Sequence, residues 1–178
     1  DLLRSSPGAV LIRAGGGLGT VTSLFVRGGE SNYNKVLLDG IPLNEPGGTF
    51  NFSNLTTEQL DRVEILRGAH SALFGSDAMA SVVQLFTKRP DRTDRKPHAM
   101  ASIEGGTYAT VRTNAGVSGV SQRVDYTFGV SRMDTDNRVP NNEFGNTTLS
   151  PNVGATMGGN ARLRFIARSE RERVGTPG

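Results

Sequence analysis

The sequence predicts a small α+β unit followed by long antiparallel β-strands. Three observations lead there. Glycine is 23 of 178 residues, about 13% and roughly twice the usual share, while aromatics are 6% and tryptophan is absent. The first half mixes short β-branched runs with tight-turn dipeptides. The second half alternates apolar and polar residues with a period of two.

Elements follow in chain order. Val10-Leu11-Ile12 reads as a short strand and Ala14 to Thr20 (AGGGLGT) as a flexible turn. Thr22 to Arg27 and Lys35 to Leu38 read as strands. Asp39-Gly40 is the dipeptide favoured where both turn residues need positive φ, so Ile41 to Leu43 should return antiparallel. Asn44 to Phe52 is a loop, because Pro46 and two glycines bar regular structure. Thr56 to Leu60 reads as a short helix start, with a threonine cap and Glu58 in the first turn. Val63 to Leu66 is a strand closed by Arg67-Gly68, Ser71 to Phe74 one helical turn stopped by Gly75, and Ser81 to Thr87 a strand.

Pro90 to His98 is dense in charge and carries two prolines, which marks an exposed connector or boundary. After it, Ala101, Ile103, Val111, Ala115 and Val117 lie opposite Glu104, Arg112 and Asn114. Val124, Tyr126, Phe128 and Val130 lie opposite Asp125, Thr127, Gly129 and Ser131. Val153 to Arg168 reads as a third alternating strand, with Ala155, Leu163 and Phe165 against Thr156, Arg162 and Arg164. One apolar face suits a soluble sandwich, and it equally suits barrel strands with apolar residues toward lipid. The length of the segments favours the barrel, since a tilted membrane strand needs about 9–11 residues.

Composition excludes several function classes. Lys plus Arg is 20 and Asp plus Glu is 17, a net charge of +3, with no basic run interleaved with aromatics, so nucleic acid is not an expected partner. There is no cysteine for a disulfide framework or thiolate site. No apolar run approaches the length of a transmembrane helix, and no secretory signal is present. Gly15-x-Gly17 is followed by Thr20 where a dinucleotide fingerprint needs glycine. Asp134, Asp136, Asn137, Asn141, Asn142 and Glu143 crowd one loop without the spacing of a calcium loop, and a polar turn is the better reading. His70 and His98 lack partners at ligand spacing, and no nucleophile or carboxylate pair supports catalysis. No enzyme, metal or cofactor is expected.

The run from Arg27 to Arg89 closely resembles the plug domain of TonB-dependent outer-membrane receptors. The likeness is most specific in Leu24 to Leu43, Val63 to Gly75 and Asp77 to Arg89. SLFVRGGESNYNKVLLDGIPLN looks nearest to cobalamin and siderophore receptors. Ala80-Ser81 stands where many members have Gly-Gly. The resemblance implies a plug over residues 1–89, incomplete at its N-terminus, a connector over 90–98, and the first strands of an incomplete transmembrane β-barrel over 99–178. It implies a barrel of about 22 strands whose plug gates the lumen.

The implied activity is uptake of a scarce nutrient, a siderophore-iron complex or cobalamin, across the outer membrane of a Gram-negative-type bacterium. The implied partners are outer-membrane lipid, the nutrient, TonB through a segment before Asp1, and the rest of the barrel or another chain completing it. By resemblance, Ser31, Asn32, Tyr33, Glu45, Pro46, Thr49 and Phe50 contact substrate from two apical loops, and Arg27 and Arg67 pair with barrel-wall glutamates. Two other readings predict differently. A non-transporting subunit of an outer-membrane assembly would be complete at 178 residues. A soluble β-rich module would bury Val111, Phe128 and Leu163 in one core.

Overall fold

The computed structural model describes residues 3, 6–15, 17–57, 59–158 and 161–176. These fall into two compact units. One comprises Asp1–Gly16, Thr20–Leu55 and Leu60–Thr87; the other comprises Gly17–Gly19, Thr56–Gln59 and Lys88–Gly178.

The first unit holds two sheets. β1 (Ala9–Arg13) pairs antiparallel with β2 (Thr22–Val26). β3 (Asn34–Leu38), β4 (Ile41–Pro42), β5 (Leu60–Arg67) and β6 (Ser81–Thr87) form a mixed sheet in the order β4-β3-β6-β5, with β3 and β6 parallel. Adjacent parallel strands are usually covered on both faces, so their apolar runs are continuous rather than alternating. That is why Val36-Leu37-Leu38 and Val82-Val83 are buried without a break. Leu24, Val26, Val36, Leu38, Val83 and Leu85 form the core on one side, and Leu37, Ala78 and Val82 form a smaller cluster on the other. Asp39 (φ 49) and Gly40 (φ 89) make the expected two-residue turn. The Asp39 carboxylate also accepts from the Thr87 hydroxyl and backbone N–H, which fixes the hairpin to the end of β6.

α1 (Ser71–Phe74) is the expected single helical turn, capped by the Gly75 N–H donating to the Ser71 carbonyl at 3.0 Å. The helix start expected at Thr56 to Leu60 is not formed. Thr56 and Thr57 are irregular, Gln59 lies in a turn, and Leu60 already opens β5; Glu58 lies outside the described residues. The reason is burial: Leu60 joins the first unit's core, and Gln59 packs in the second unit.

Lys35 and Asp77 form a half-buried ion pair at 2.8 Å, and the lysine's hydrogen bond holds the Asp77 carboxyl below its usual range. A carboxyl depressed in the folded state adds stability above its unfolded pKa of about 3.9, and loses it as pH falls through the folded value. The Asp77→Asn variant is therefore expected to be less stable by about 0.5–1 kcal/mol at pH 7, with the gap to the unsubstituted chain closing below about pH 4. Thermal melts of both chains at pH 7 and pH 3.5 check this; a pH-independent gap would refute the pair's contribution.

The second unit is an antiparallel sheet. β7 (His98–Gly105), β8 (Val111–Ser121), β9 (Val124–Thr135), β10 (Phe144–Thr156) and β11 (Arg162–Ile166) pair in sequence, and β12 (Ser169–Val174) also pairs with β10. The charged connector thus gives way to a strand at His98 itself. Val153 to Arg168 is a hairpin and not one strand. Met157 N–H donates to the Ala161 carbonyl across the turn, and Ala155 pairs with Leu163. Paired residues here have numbers of equal parity, so the alternation runs through the turn unbroken and hides it. Ala167 N–H donates to Pro151, and Leu149 pairs with Ser169, so β11 and β12 are one strand interrupted at residues 167 and 168.

The polarity of this sheet is inverted relative to a soluble one. Asn114, Asp125, Thr127, Ser131, Asn146, Thr148 and Asn152 are buried, while Phe128 is 42% exposed, Val111 44% and Leu163 60%. A soluble sandwich requires the reverse, so that reading fails. Gly19 and Gln59 lie against the polar face. A Cβ on Gly19 would stand 2.1 Å from the Phe144 ring, and one on Gly129 would stand 2.0 Å from the Gln59 amide carbon.

Candidate functional site

The candidate substrate residues lie on two loops flanking β3 and β4. Ser31–Tyr33 form a single 3-10 turn, closed by Tyr33 N–H donating to the Glu30 carbonyl at 3.0 Å. Its shape is imposed from below by Asn34. That side chain is 1% exposed, and its amide donates to the carbonyls of Leu24 (2.9 Å), Glu30 (3.2 Å) and Ser31 (3.2 Å). Its carbonyl accepts from the Ser81 hydroxyl at 2.7 Å. One amide therefore links β2, the turn, β3 and β6, and it satisfies carbonyls that a buried turn would otherwise orphan.

Asn44 does the same for the second loop. Its Oδ1 accepts from Val36 N–H at 2.7 Å, and its Nδ2 donates to the carbonyls of Asn34 (2.9 Å) and Gly48 (2.7 Å). Within the loop, Glu45 N–H donates to Thr49 and Gly48 N–H donates to Glu45. Gly48 is buried, has φ +86, and a Cβ there would lie 2.5 Å from the Asn32 carbonyl oxygen. No other residue tolerates both the backbone conformation and that approach. Asn32 and Gly48 are thus where the loops meet, and the two expected apices form one surface.

Tyr33, Glu45, Pro46 and Thr49 are exposed on it, and Ser31 and Asn32 are half-buried. Phe50 is placed differently: its ring meets Phe52 edge-on at 4.8 Å and packs against the core. The exposed set offers hydroxyls and a carboxylate beside one aromatic ring, with the half-buried Asn32 amide next to it, chemistry that suits a large polar ligand. Sequence reasoning missed Asn34, Asn44 and Gly48, whose roles come from contacts between strands and loops far apart in the chain.

Arg27 sits at φ 50 directly after β2, and its side chain is exposed. Val26 and Gly29 bridge around it, and a Cβ on Gly29 would stand 2.6 Å from that of Ala80. Glycine at 29 is therefore required by geometry. Arg67, at the end of β5, is half-buried and donates one Nη2 hydrogen bond to the Ser6 hydroxyl; its Nε is buried without a partner. A buried guanidinium donor left unmatched is costly and calls for an acceptor. His98 pairs with Asp94 at 2.8 Å on the surface, and the Asn137 amide binds Leu18 and Asn142, as a polar turn would. Among the described residues no group of three or more acidic or histidine side chains is placed to hold a metal ion.

Comparison with known proteins agrees with this architecture. Residues 1–82 match the family model described as the TonB-dependent Receptor Plug Domain. The chain is 32% identical over 114 residues to the vitamin B12 transporter BtuB of Vibrio vulnificus (strain CMCP6), an alignment covering 64% of this chain and 18% of the relative. Among solved structures, the pyoverdine outer membrane receptor FpvA of Pseudomonas aeruginosa PAO1, bound to pyoverdine, superposes with a TM-score of 0.79 at 20% identity, over 96% of this chain and 24% of the receptor. The siderophore receptor PirA of Acinetobacter baumannii gives 0.75 at 19% identity, over 98% of this chain and 29% of PirA. The chain thus spans under a third of the length of these relatives. Residues 1–82 thus match a TonB-dependent receptor plug domain, and the chain as a whole shares the fold of the corresponding part of these receptors.

Proposed function

We propose that this chain is the plug and first barrel strands of an outer-membrane transporter that takes up a siderophore-iron complex or cobalamin. The observation that carries the reading is the inverted sheet. Strands of 11 to 13 residues present valine, leucine and phenylalanine outward and asparagine, threonine, serine and aspartate inward. That is the pattern of a tilted strand between hydrocarbon and a wet lumen. The BtuB match supports the nutrient class, and the outer-membrane receptors among the structural relatives support the location.

In this reading the joined loops at Asn32 and Gly48 receive the ligand. The plug gates the lumen of the complete barrel, and TonB drives opening through a segment outside this chain. Arg27 and the unmatched Arg67 Nε take up carboxylates of the completed barrel wall. The boundaries follow the same logic: plug through residue 89, then the connector, and barrel strands from His98 onward.

Uptake of radiolabelled ferric siderophores and cobalamin by cells expressing the complete receptor tests the proposal. Energised, TonB-dependent accumulation of one of them is expected. The Gly48→Val variant should bind that ligand at least tenfold more weakly while the barrel inserts normally. A receptor that inserts but accumulates neither class would instead be the non-transporting assembly subunit.

A further inference from the structure

The connector between β6 and β7 is a built piece of structure. The Asp91 carboxylate accepts from the Thr93 backbone N–H and hydroxyl, both at 2.8 Å, and Asp94 N–H donates to the Asp91 carbonyl at 3.2 Å. Asp94 repeats the device. One carboxylate oxygen accepts from Lys96 N–H at 2.9 Å, and the other meets the His98 ring at 2.8 Å. Two aspartate-led turns thus follow each other between Pro90 and Pro97, each closed by a side chain that imitates a backbone turn. A chain folded in this way is not the slack coil of a flexible linker.

One side chain ties these turns to the wall. Arg92 Nε and Nη2 donate to Asp125 Oδ2 at 3.2 and 2.5 Å, and Nη1 donates to the Thr156 hydroxyl at 3.2 Å. Asp125 is 1% exposed. It also accepts from Arg162 at 3.2 Å and from Arg164, and Arg164 reaches on to the Asn152 amide oxygen at 2.5 Å. Gly154 is paired with Asp125, and a Cβ there would lie 2.8 Å from the carboxylate, so glycine leaves the slot open. All of these residues belong to the second unit. They lie at the end bearing the two-residue turn Gln122-Arg123, and short turns face the periplasm.

The arrangement separates two jobs. A buried carboxylate without a partner is costly, and Arg162 and Arg164 of β11 already match this one. Arg92 is exposed and comes from the connector, so the wall keeps a paired Asp125 without it. What the third guanidinium adds is a fixed position for the connector. We propose that Asp125, acting through Arg92, is a positioning residue that clamps the connector to the periplasmic edge of the wall, so that a pull on the plug is borne within a few residues of β6. The inference rests on the gated-transport reading above. With the clamp closed, residues 88–91 can extend over about 13 Å at most; with it open, residues 88–97 can extend over about 33 Å. The added length lets the plug follow a pull as a body instead of opening against it.

The complete receptor carrying R92Q tests this. Hydrogen exchange on the purified protein should be at least tenfold faster in residues 91–97, with β9 and β10 as protected as before. In energised cells, affinity for radiolabelled ferric siderophore or cobalamin should stay within twofold, while TonB-dependent uptake at saturation falls at least fivefold. R92K keeps the charge and a donor, and should restore at least half of that rate. Unchanged exchange in residues 91–97, full uptake once they exchange freely, or a parallel loss of binding overturns the proposal. So does an R92Q receptor that fails to fold, read as lost heat-modifiable migration on gels, because the contact would then belong to the wall's own stability. An unsubstituted receptor that inserts yet accumulates neither class of probe refutes the transport reading, and with it the pull that the clamp is to bear.

Discussion

Replacing Phe128 by arginine is expected to abolish or severely weaken folding of the complete receptor into lipid. Phe128 sits outward in the middle of the apolar rows, between the levels of Tyr126 and Val130 and 6.0 Å ring to ring from Tyr126. A lipid-facing arginine at mid-membrane depth costs about 2–4 kcal/mol. Removing the phenylalanine forfeits about 2 kcal/mol more of apolar transfer. The combined loss of about 4–6 kcal/mol is comparable to the whole stability of many domains. The adjacent Thr127 faces the other way, buried, with a hydroxyl that has no partner. Thr127→Val should accordingly be neutral or slightly stabilising, since it removes a polar atom that gains nothing. Urea titration of folding into phospholipid vesicles measures both. If Phe128→Arg folds as well as the unsubstituted receptor, the outward face meets water and the transport reading loses its main support.

The second large effect is expected at Asn34. Truncation to alanine removes one side chain that serves three carbonyls and one hydroxyl in a fully buried position. Each buried group left unmatched costs about 1–3 kcal/mol, and some will find other partners, so a net loss of about 3 kcal/mol is expected. The damage should be local to the joined loops and to β2, β3 and β6. Hydrogen exchange on the complete receptor reads this directly, as faster exchange in residues 22–38 and 81–87 with barrel strands unchanged. Ligand affinity should fall with it, because the Ser31–Tyr33 turn loses its support. Unchanged protection in those segments would show that Asn34 is not the organising residue.

Other parts of the molecule were legible along the chain because their causes are local. Asp39-Gly40 makes its turn because two adjacent residues must take positive φ. Ser81–Thr87 is a strand in a sequence rich in β-branched residues. Ser71–Phe74 stops where Gly75 caps it. The elements that were misread have distant causes. The threonine-led start at Thr56 has every local sign of a helix, yet Leu60 is claimed by the core and Gln59 by the second unit. The hairpin at Met157–Ala161 escaped notice because its register preserves the phase of the alternation. The two loops that meet at Asn32 and Gly48 were visible as loops in the sequence. Their organising amides, Asn34 and Asn44, were not, since their partners lie up to 47 positions away.

The sequence by itself determined that this chain has two kinds of β-structure, one continuous and apolar, the other two-faced. It also carried the motifs of a plug. Only the tertiary structure decided which face of the later strands is enclosed. Periodicity records that alternate side chains meet different surroundings, and it is silent on what those surroundings are. Packing supplies the answer: Asn114, Asp125 and Thr148 are enclosed, while Val111, Phe128 and Leu163 are left outward.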